Sequence, residues 1–507
     1  MLNVKGLNLS VSLLSHCQKK VVSTGLKREL GLKEVVATVV TSVIGGGLFL
    51  TTVQIQDKVP VGSSVIFSYI LAAVPAIFIA LCYAVLSSAI PASGGEYVFV
   101  SRIVDPFIGF IVTWARWFAM IAVIAAMSVG DVTIFEDFLN ILGWQSSSAF
   151  VSSNIQFIAI FLVIVFLIVN YVGVKVYGRV QTIMFVLLML GLVSLITFGL
   201  PNVRFGNLSA SFEPDFSLIA QASSLIFFSY IGFSVINDAG DEVKNPEKTL
   251  PKGVLLSISV IAVIYILVAL ITYGSMSPSF YSSYDFANGS IADVASHFLP
   301  LPLAAFVAFA GSVAIISDIN PTILSTSRLS FAWAKDKIVP KKLAELNRFG
   351  VPKWTLVVNT IMAISIILLA RQFMQAVMMI NMAVLLVFMA TSLATLILPY
   401  KHPEIYSKAR FRLKALWVVA LIGMLSSALF FGYILRLDDA MPGFIFLLAW
   451  IGIGSVVYVF TLEKHQLPWR VYKEEKKEKS LLDHQLISKL VGPKKENKKE
   501  MVVNRKK

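Results

Sequence analysis

Twelve apolar runs, each close to the length that crosses a lipid bilayer, constrain what this chain can fold into. The hydrocarbon core of a bilayer is about 30 Å thick, so a spanning helix needs about 20 mostly apolar residues. Only 14% of the 507 residues are charged, whereas a soluble domain carries about 25%. The sequence therefore predicts an all-α polytopic membrane protein. The predicted spans lie at about 34–55, 64–88, 107–130, 155–172, 181–200, 218–238, 254–275, 301–326, 355–370, 374–398, 416–435 and 443–462.

Lysine and arginine are divided unevenly between the two sides that twelve spans create. If the N-terminus is cytoplasmic, 38 of the 43 basic residues fall in cytoplasmic segments, four fall on the other side, and Arg116 falls within a span. Because Lys and Arg accumulate in cytoplasmic loops, we expect a multi-pass protein of the plasma membrane with both termini in the cytoplasm. This topology accounts for the net charge of +14 without a nucleic-acid partner.

The two ends of the chain are polar. Residues 1–33 contain no long apolar core before Gly25, so we predict no cleavable signal. Residues 463–507 carry charges of both signs, which indicates a solvated tail, with contact to anionic lipid headgroups or to a partner as the alternative. Cys17 and Cys82 lie in different environments, and a disulfide is not expected. No metal-ligand spacing, phosphate-binding glycine motif or nucleophile triad is visible, so we predict neither a cofactor nor an enzyme.

Three consecutive glycines, Gly45, Gly46 and Gly47, interrupt the first span. Each glycine costs about 1 kcal/mol relative to alanine inside a helix, so such a run needs a reason. A similar interruption around Gly232 occurs in the sixth span, five spans later. That interval predicts two repeats of five spans in opposite orientations. The predicted units are residues 34–200 and 201–398, followed by two extra spans in residues 399–462.

Unpaired backbone groups are costly in lipid, so a broken helix persists only where it lines a cavity. A break in the first span exposes N–H groups at a positive helix end, which suits a carboxylate. A break in the sixth span exposes carbonyl groups, which suit an ammonium. The pair predicts a site for a zwitterion. Close packing of helices through small residues is the alternative interpretation.

Five segments resemble motifs of the amino acid–polyamine–organocation superfamily of permeases, and they occur in the family's order. They are VIGGGLF (43–49), IPASGGEYVFVSRIVDPFIGFIVTW (90–114), NYVGVKVYGRVQ (170–181), FFSYIGFSVINDAGDEVKNPEKTLPKG (227–253) and INPTILSTSRLSFAWAKDKIVPK (319–341). The resemblance covers at least the first ten spans. It implies secondary transport of an amino acid and the five-plus-five inverted-repeat fold of the sodium-coupled leucine transporter, with two peripheral helices.

The resemblance also implies a substrate site. The carboxylate of the amino acid is expected to meet the backbone N–H groups of Gly46 and Gly47. The ammonium is expected to meet the carbonyl groups of Ile44, Phe228, Ser229 and Ile231. Tyr230 and Phe233 are expected to flank the site as aromatic gates or pocket walls. The predicted substrate-binding residues are Ile44, Gly45, Gly46, Gly47, Phe228, Ser229, Tyr230, Ile231, Phe233 and Ser234.

Two positions depart from the family's pattern. Many relatives have Asp or Glu directly after the Gly-Phe pair of the sixth span, where this chain has Ser234. The change favours a neutral, apolar or aromatic substrate over a cationic one. Several relatives have a lysine in the fifth span whose ammonium stands in for sodium, and the matching residue here is Leu188. That device is therefore predicted to be absent.

Charged residues within spans cost about 2.5–3.5 kcal/mol each on insertion scales, so each needs a reason. Asp318 lies in the eighth span beside Ser317, and an ionised Asp318 would need Arg116 or a cation as its partner. A carboxyl group that switches between protonated and ionised forms could couple proton movement to substrate. Asp238, near the cytoplasmic end of the sixth span, is a second candidate, although it could instead face cytoplasmic water. For either aspartate, a static structural role is the alternative, and Glu96 is expected to brace the inner surface.

Several functions stay open at this point. A carrier that works by alternating access is the leading hypothesis, with a proton as the favoured driving ion. Sodium held by Ser317 and first-span carbonyls, or exchange without net drive, are the alternatives for coupling. A transport-inactive amino-acid sensor is the alternative from another class, and a membrane-embedded transferase is disfavoured because no nucleophile–base pair is visible.

Overall fold

The computed structural model describes residues 25–369, 373–437 and 440–462. The predictions for the two terminal tails, for Cys17 and for the turn at Arg371 concern positions outside these ranges. Within them the chain is helical and has no strands, only isolated bridges between single residues. The prediction of an all-α protein is confirmed.

Eleven of the described helices have the length and apolar composition to cross a membrane, and Lys353–Leu368 is a shorter apolar helix. With that helix as the ninth, they correspond to the twelve predicted spans. Span 1 consists of Leu32–Val43, Gly46–Phe49 and Thr51–Lys58. Spans 2 to 12 are Val65–Ala89, Pro106–Ile141, Ile155–Val172, Val174–Gly199, Phe216–Asp238, Pro246–Ser275, Leu301–Lys335, Lys353–Leu369, Phe373–Lys401, Leu416–Ile434 and Ala440–Leu462.

Short helices fill the connections. They are Gly95–Ile103, Gln145–Ser153, Phe205–Ala210, Pro278–Ser283, Ile291–Ser296 and Pro403–Tyr406, with 3₁₀ turns at Leu200–Asn202, Gly240–Glu242 and Lys341–Ala344.

Spans 3 and 8 are longer than the sequence predicts, at 36 and 35 residues. The predicted spans end at about 130 and 326, whereas the two helices continue past Asp131 and Arg328 to Ile141 and Lys335. The structure buries those charges: Asp131 is 3% exposed and Arg328 is fully buried. Both helices therefore continue past charged side chains that the bundle buries.

Contacts between loops define two ends of the helix bundle. At one end, here called the Leu30 face, Leu30 lies beside Val243. At the other, the Gly62 face, Gly62 lies beside Phe212. Hydrogen bonds and ion pairs gather further loops at the Leu30 face, namely 90–105, 239–245, 336–352 and 402–415. Most basic residues of the described chain therefore lie at this face.

Spans five apart in sequence pack against each other. Span 1 contacts span 6, span 2 contacts span 7, and span 3 contacts span 8 over much of its length. A two-fold axis that relates spans 1–5 to spans 6–10 would bring such mates together near the axis, as in inverted-repeat transporters. The residue boundaries of the two repeats stay a prediction.

Candidate functional site

The first span is interrupted at its glycines. Its first helix ends at Val43, Ile44 and Gly45 are not helical, and a new helix starts at Gly46. The carbonyl of Gly45 accepts hydrogen bonds from the N–H groups of Leu48 and Phe49, at 3.0 and 3.1 Å. Among the described residues, the N–H groups of Gly45, Gly46 and Gly47 have no hydrogen-bond partner. The break thus presents three unpaired donors at the start of a helix, where the helix dipole is positive.

Gly47 allows the first span to touch the sixth. A methyl group on Gly47 would lie 2.6 Å from the Cα of Ser229, so only glycine fits there. The hydroxyl of Ser229 donates a 2.6 Å hydrogen bond to the carbonyl of Gly47. A second contact is the 3.0 Å hydrogen bond from the Ser42 hydroxyl to the carbonyl of Gly232. The two spans are therefore joined on both sides of the break.

The sixth span is not interrupted as the sequence suggested. Its first part, Phe216–Ile226, is an α-helix, and the next 12 residues, Phe227–Asp238, continue as a 3₁₀ helix. Runs of 3₁₀ helix longer than three or four residues are uncommon and often mark a functional hinge. Small residues such as Gly232 permit a close approach here, since any side chain on Gly232 would overlap the carbonyl of Ser42.

Tyr265 of span 7 lies behind the contact between spans 1 and 6. Its hydroxyl is 2.6 Å from the carbonyl oxygen of Val43 and 2.7 Å from that of Ser229. The Ser229 carbonyl was predicted to bind the substrate ammonium, but in this structure it accepts a hydrogen bond from the Tyr265 hydroxyl. The carbonyl of Ile44 has no hydrogen-bond partner among the described residues.

A buried cavity lies between spans 1, 3, 6 and 8. Four residues named from the sequence line it: Gly47, Phe228, Ile231 and Asp318. The other lining residues are Ser42, Val43, Met120, Val123, Gly232, Val235 and Thr322. Span 3 was not predicted to reach the site. The spacing of Met120 and Val123, four and seven residues after Arg116 on one helix face, was the available signal.

The cavity is small in this conformation. Its volume is about 20 Å³, which is room for about one water molecule. Pockets that hold small molecules enclose about 300–1,000 Å³. The structure is therefore closed around the candidate site, and a ligand of amino-acid size requires the spans to move apart.

The two predicted aromatic gates lie on different sides of span 6. Tyr230 donates a 3.2 Å hydrogen bond to the carbonyl of Tyr69 and packs edge-on against Tyr265. Phe233 stacks on Phe388 of span 10, with ring centres 5.4 Å apart. Both rings are fully buried, and neither belongs to the cavity lining.

Ser234 contacts an ion cluster and is not part of the cavity lining. Its hydroxyl lies 3.3 Å from Nη2 of Arg116. An acidic residue at this position would therefore meet Arg116 and not a bound substrate. The expectation of a neutral substrate must rest on the apolar residues that line the cavity.

Arg116 is paired with Asp238 and Glu96, not with Asp318. The distance from its Nη1 to Asp238 Oδ2 is 2.9 Å, and from its Nε to Glu96 Oε1 it is 3.3 Å. All three side chains are completely buried. Asp238 thus does not face water in this conformation, because Glu96 and its helix Gly95–Ile103 pack against the end of span 6 and cover it.

Asp318 is the charged residue of the cavity lining and is 8% exposed. Among the described residues its carboxyl group has one hydrogen-bond partner, Thr322, whose hydroxyl lies 3.3 Å away. Gly45 lies directly beside it, since a methyl group there would be 3.4 Å from the Cβ of Asp318. The carboxyl group of Asp318 therefore lies beside the glycine turn, and Asp318 and Gly47 line the same small cavity.

Ser317, the predicted sodium ligand, belongs to a network of amide hydrogen bonds. Its hydroxyl donates to Ala314 at 2.7 Å and lies 3.4 Å from the carbonyl of Thr41. The side-chain amide of Gln181, from span 5, donates to the carbonyl of Ser317 at 2.8 Å and to the hydroxyl of Thr41. Gln181 therefore joins spans 1 and 8, a contact that the sequence analysis did not predict, since it considered span 5 only at Leu188.

Comparison with known proteins decides the family. A model of the amino acid permease family matches residues 30–460. The chain belongs to this family. The permease is thus a member of the superfamily that its motifs resemble, an integral multi-pass membrane protein, and its function is amino acid transport.

Three carriers of Bacillus subtilis (strain 168) are among the proteins to which this permease is similar. The methylthioribose transporter is 27% identical over 461 residues, 88% of this chain and 95% of that protein. A branched-chain amino acid permease is 26% identical over 455 residues, 87% and 94% of the two chains. A glutamate/serine transporter is 28% identical over 425 residues, 80% and 77% of the two chains.

Proposed function

We propose that this permease carries neutral amino acids across the plasma membrane by alternating access and is driven by a proton. The observation that carries the proposal is the glycine turn, which leaves three N–H groups unpaired in the described chain and contributes Gly47 to the lining of a buried cavity that also contains Asp318. Backbone donors at a positive helix end suit an α-carboxylate. The closed, water-sized cavity fits a site that opens to one face at a time, since transporter sites lie where broken helices meet.

The preference for a neutral side chain rests on the other residues of the cavity. Six of its eleven lining residues have apolar side chains, namely Val43, Met120, Val123, Phe228, Ile231 and Val235. A lysine or arginine side chain would lose hydration against these groups without a second carboxylate to pair with. The similarity to a branched-chain amino acid permease agrees with such a lining. A direct contact of Ser234 with substrate is not part of the proposal.

The preference for a proton over sodium rests on Gln181 and Asp318. Sodium needs oxygen lone pairs, and its expected ligands include the Ser317 hydroxyl and the Thr41 carbonyl, which lie 3.4 Å apart. The side-chain amide of Gln181 donates to the other oxygens of these two residues, the Thr41 hydroxyl and the Ser317 carbonyl. An amide group has donor hydrogens that repel a cation placed there. Asp318 has no basic partner among the described residues, so its protonated form is the cheaper one to enclose in the closed cavity.

Orientation follows from the loops. The basic loops 239–245, 336–352 and 402–415 gather at the Leu30 face. The excess of Lys and Arg supports the assignment of this face, and with it both termini, to the cytoplasm.

Counterflow in liposomes tests the proposal. Purified permease is reconstituted with one unlabelled amino acid inside, and entry of the same labelled amino acid is measured for each of the twenty. We expect counterflow with neutral amino acids that have apolar side chains. Binding of such an amino acid without counterflow would favour the sensor, and an absence of both would remove the proposed substrate class.

A further inference from the structure

Arg116 is the centre of a buried ion cluster to which five helical segments contribute. Its guanidinium contacts Glu96 from helix Gly95–Ile103, Asp238 and Ser234 from span 6, and Ser325 from span 8. Span 2 adds the hydroxyl of Tyr83, which donates a 2.8 Å hydrogen bond to Glu96 Oε1. The cluster is defined here as Tyr83, Glu96, Arg116, Ser234, Asp238 and Ser325.

The charges of the cluster do not balance. If Glu96 and Asp238 were both ionised, the single positive charge of Arg116 would leave one net negative charge. All three side chains are completely buried, so water could not stabilise that charge. Two carboxylate oxygens, Glu96 Oε2 and Asp238 Oδ1, are buried without a hydrogen-bond partner in the described chain. Enclosing an uncompensated charge costs several kcal/mol even after relaxation, whereas a proton on one carboxyl group neutralises the cluster.

Neighbouring charges do not supply the missing cation. Arg328 is held by both oxygens of Glu242, at 2.8 Å each, so that pair is neutral by itself. Arg102 is paired with Asp336 at 2.5 Å. The remaining contacts of the two carboxyl groups are with neutral hydroxyl groups: Ser325 donates to Asp238 and Tyr83 donates to Glu96.

The cluster separates the cavity from the Leu30 face. On span 3, Arg116 precedes the cavity residue Met120 by one turn. On span 8, Ser325 follows the cavity residue Thr322 by about one turn. Asp238 lies at the end of span 6, where its backbone carbonyl accepts a hydrogen bond from Gly94. Because these segments converge here, a path from the cavity to the Leu30 face cannot open without pulling the cluster apart.

We propose that Glu96 and Asp238 together hold one proton while the cluster is closed, and that opening toward the Leu30 face releases it to water on that side. This inference rests on the alternating access of the proposed function. The O–H bond of one carboxyl group breaks, and the proton passes to water as the carboxylate becomes hydrated. Acid on the Leu30 side therefore holds the permease shut there, and alkali favours its opening. The proton is distinct from one carried by Asp318.

A cysteine in the cavity reports the opening. The full chain, with Cys17→Ser and Cys82→Ser, receives Val235→Cys, because Val235 lines the cavity. Labelling by a maleimide is measured in detergent between pH 6 and 8, below the usual thiol pKa of about 8.5. Each rate is divided by that of Ser152→Cys, an exposed position. In this range the thiolate fractions of both cysteines rise in proportion, so the ratio reports the opening. Loss of one proton on opening predicts a corrected rate that rises up to tenfold per pH unit.

Neutralising one carboxyl group of the cluster removes the proton to be released. Glu96→Gln and Asp238→Asn are both expected to flatten the pH dependence, so a folding defect in one variant leaves the other as the test. Asp131→Asn is the matched control, since Asp131 is equally buried but pairs with Ser312 at 2.7 Å, away from the cluster. It should keep the slope of the parent.

A flat parent profile, or an unchanged slope in the folded cluster variants, would overturn the inference. Because labelling needs no substrate, such a result would leave the proposed transport intact. If the labelling rate of the parent keeps its pH dependence but no amino acid shows counterflow, the proposed transport fails and the inference about the cluster stands.

Discussion

Arg328 donates two parallel hydrogen bonds to Glu242 from one edge of its guanidinium group, with Nε and Nη2 each 2.8 Å from a different carboxylate oxygen. The pair joins span 8 to the 3₁₀ turn Gly240–Glu242 that follows span 6. Bidentate geometry and complete burial distinguish it from the exposed ion pairs of the loops.

We expect Glu242→Gln to destabilise the permease by about 3–5 kcal/mol, because it leaves the buried guanidinium of Arg328 without its counter-ion. The midpoint of thermal unfolding in detergent measures the effect. Glu345→Gln is the control, since Glu345 and Lys353 form an exposed pair at 3.2 Å. Equal midpoints for the two variants would contradict a structural role for the buried pair.

Gly46→Leu should abolish substrate binding while the protein stays folded. Its side chain would lie at the start of the second helix of span 1, where the proposal puts the substrate carboxylate. Binding of a labelled neutral amino acid to purified protein measures the effect, and we expect a loss of at least a hundredfold. Gly452→Leu is the control, because a side chain at Gly452 meets no other atom within 4 Å. Unchanged affinity of Gly46→Leu would refute the assigned site.

Side-chain selectivity should follow the apolar lining of the cavity. We predict that leucine and phenylalanine compete with uptake of a labelled neutral substrate more than tenfold better than lysine or arginine. The measurement is the inhibition of labelled uptake into proteoliposomes by each of these amino acids. Stronger competition by lysine or arginine would show that an anionic group outside the apolar lining governs selectivity.

Proton coupling makes a prediction about Asp318. An inward proton gradient without sodium should drive accumulation by the wild type. Asp318→Asn should lose accumulation and keep exchange, because an amide cannot take up and release a proton. Uptake under a pH gradient, and counterflow at uniform pH, separate the two activities. If Asp318→Asn still concentrates substrate, Asp318 is structural, and if sodium alone drives the wild type, the proton hypothesis fails.

The number of spans and the break in the first one could be predicted because both depend on local sequence. Apolar length determines a span, and three glycines weaken a helix wherever they occur. Charged residues were harder to place, since spans 3 and 8 continue past Asp131 and Arg328, which other parts of the bundle bury. The partners of Arg116 come from other segments, and one sequence holds no record of which distant charges meet.

The position of Ser234 could not be predicted because it depends on how span 6 is wound. An α-helix turns about 100° per residue and a 3₁₀ helix about 120°. Over the seven steps from Phe227 to Ser234, the two windings differ by about 140°. A residue expected in the cavity therefore faces Arg116, and no local signal distinguishes the two geometries.

The same winding gives span 6 a capacity to move without a hinge. Each residue of a 3₁₀ helix rises about 0.5 Å more than in an α-helix. If the 12-residue segment Phe227–Asp238 rewound as an α-helix, it would shorten by about 6 Å and rotate its end by about two thirds of a turn. Asp238, at that end, would retract along a screw path. Span 6 can thus convert a change of helical pitch into a displacement longer than a hydrogen bond.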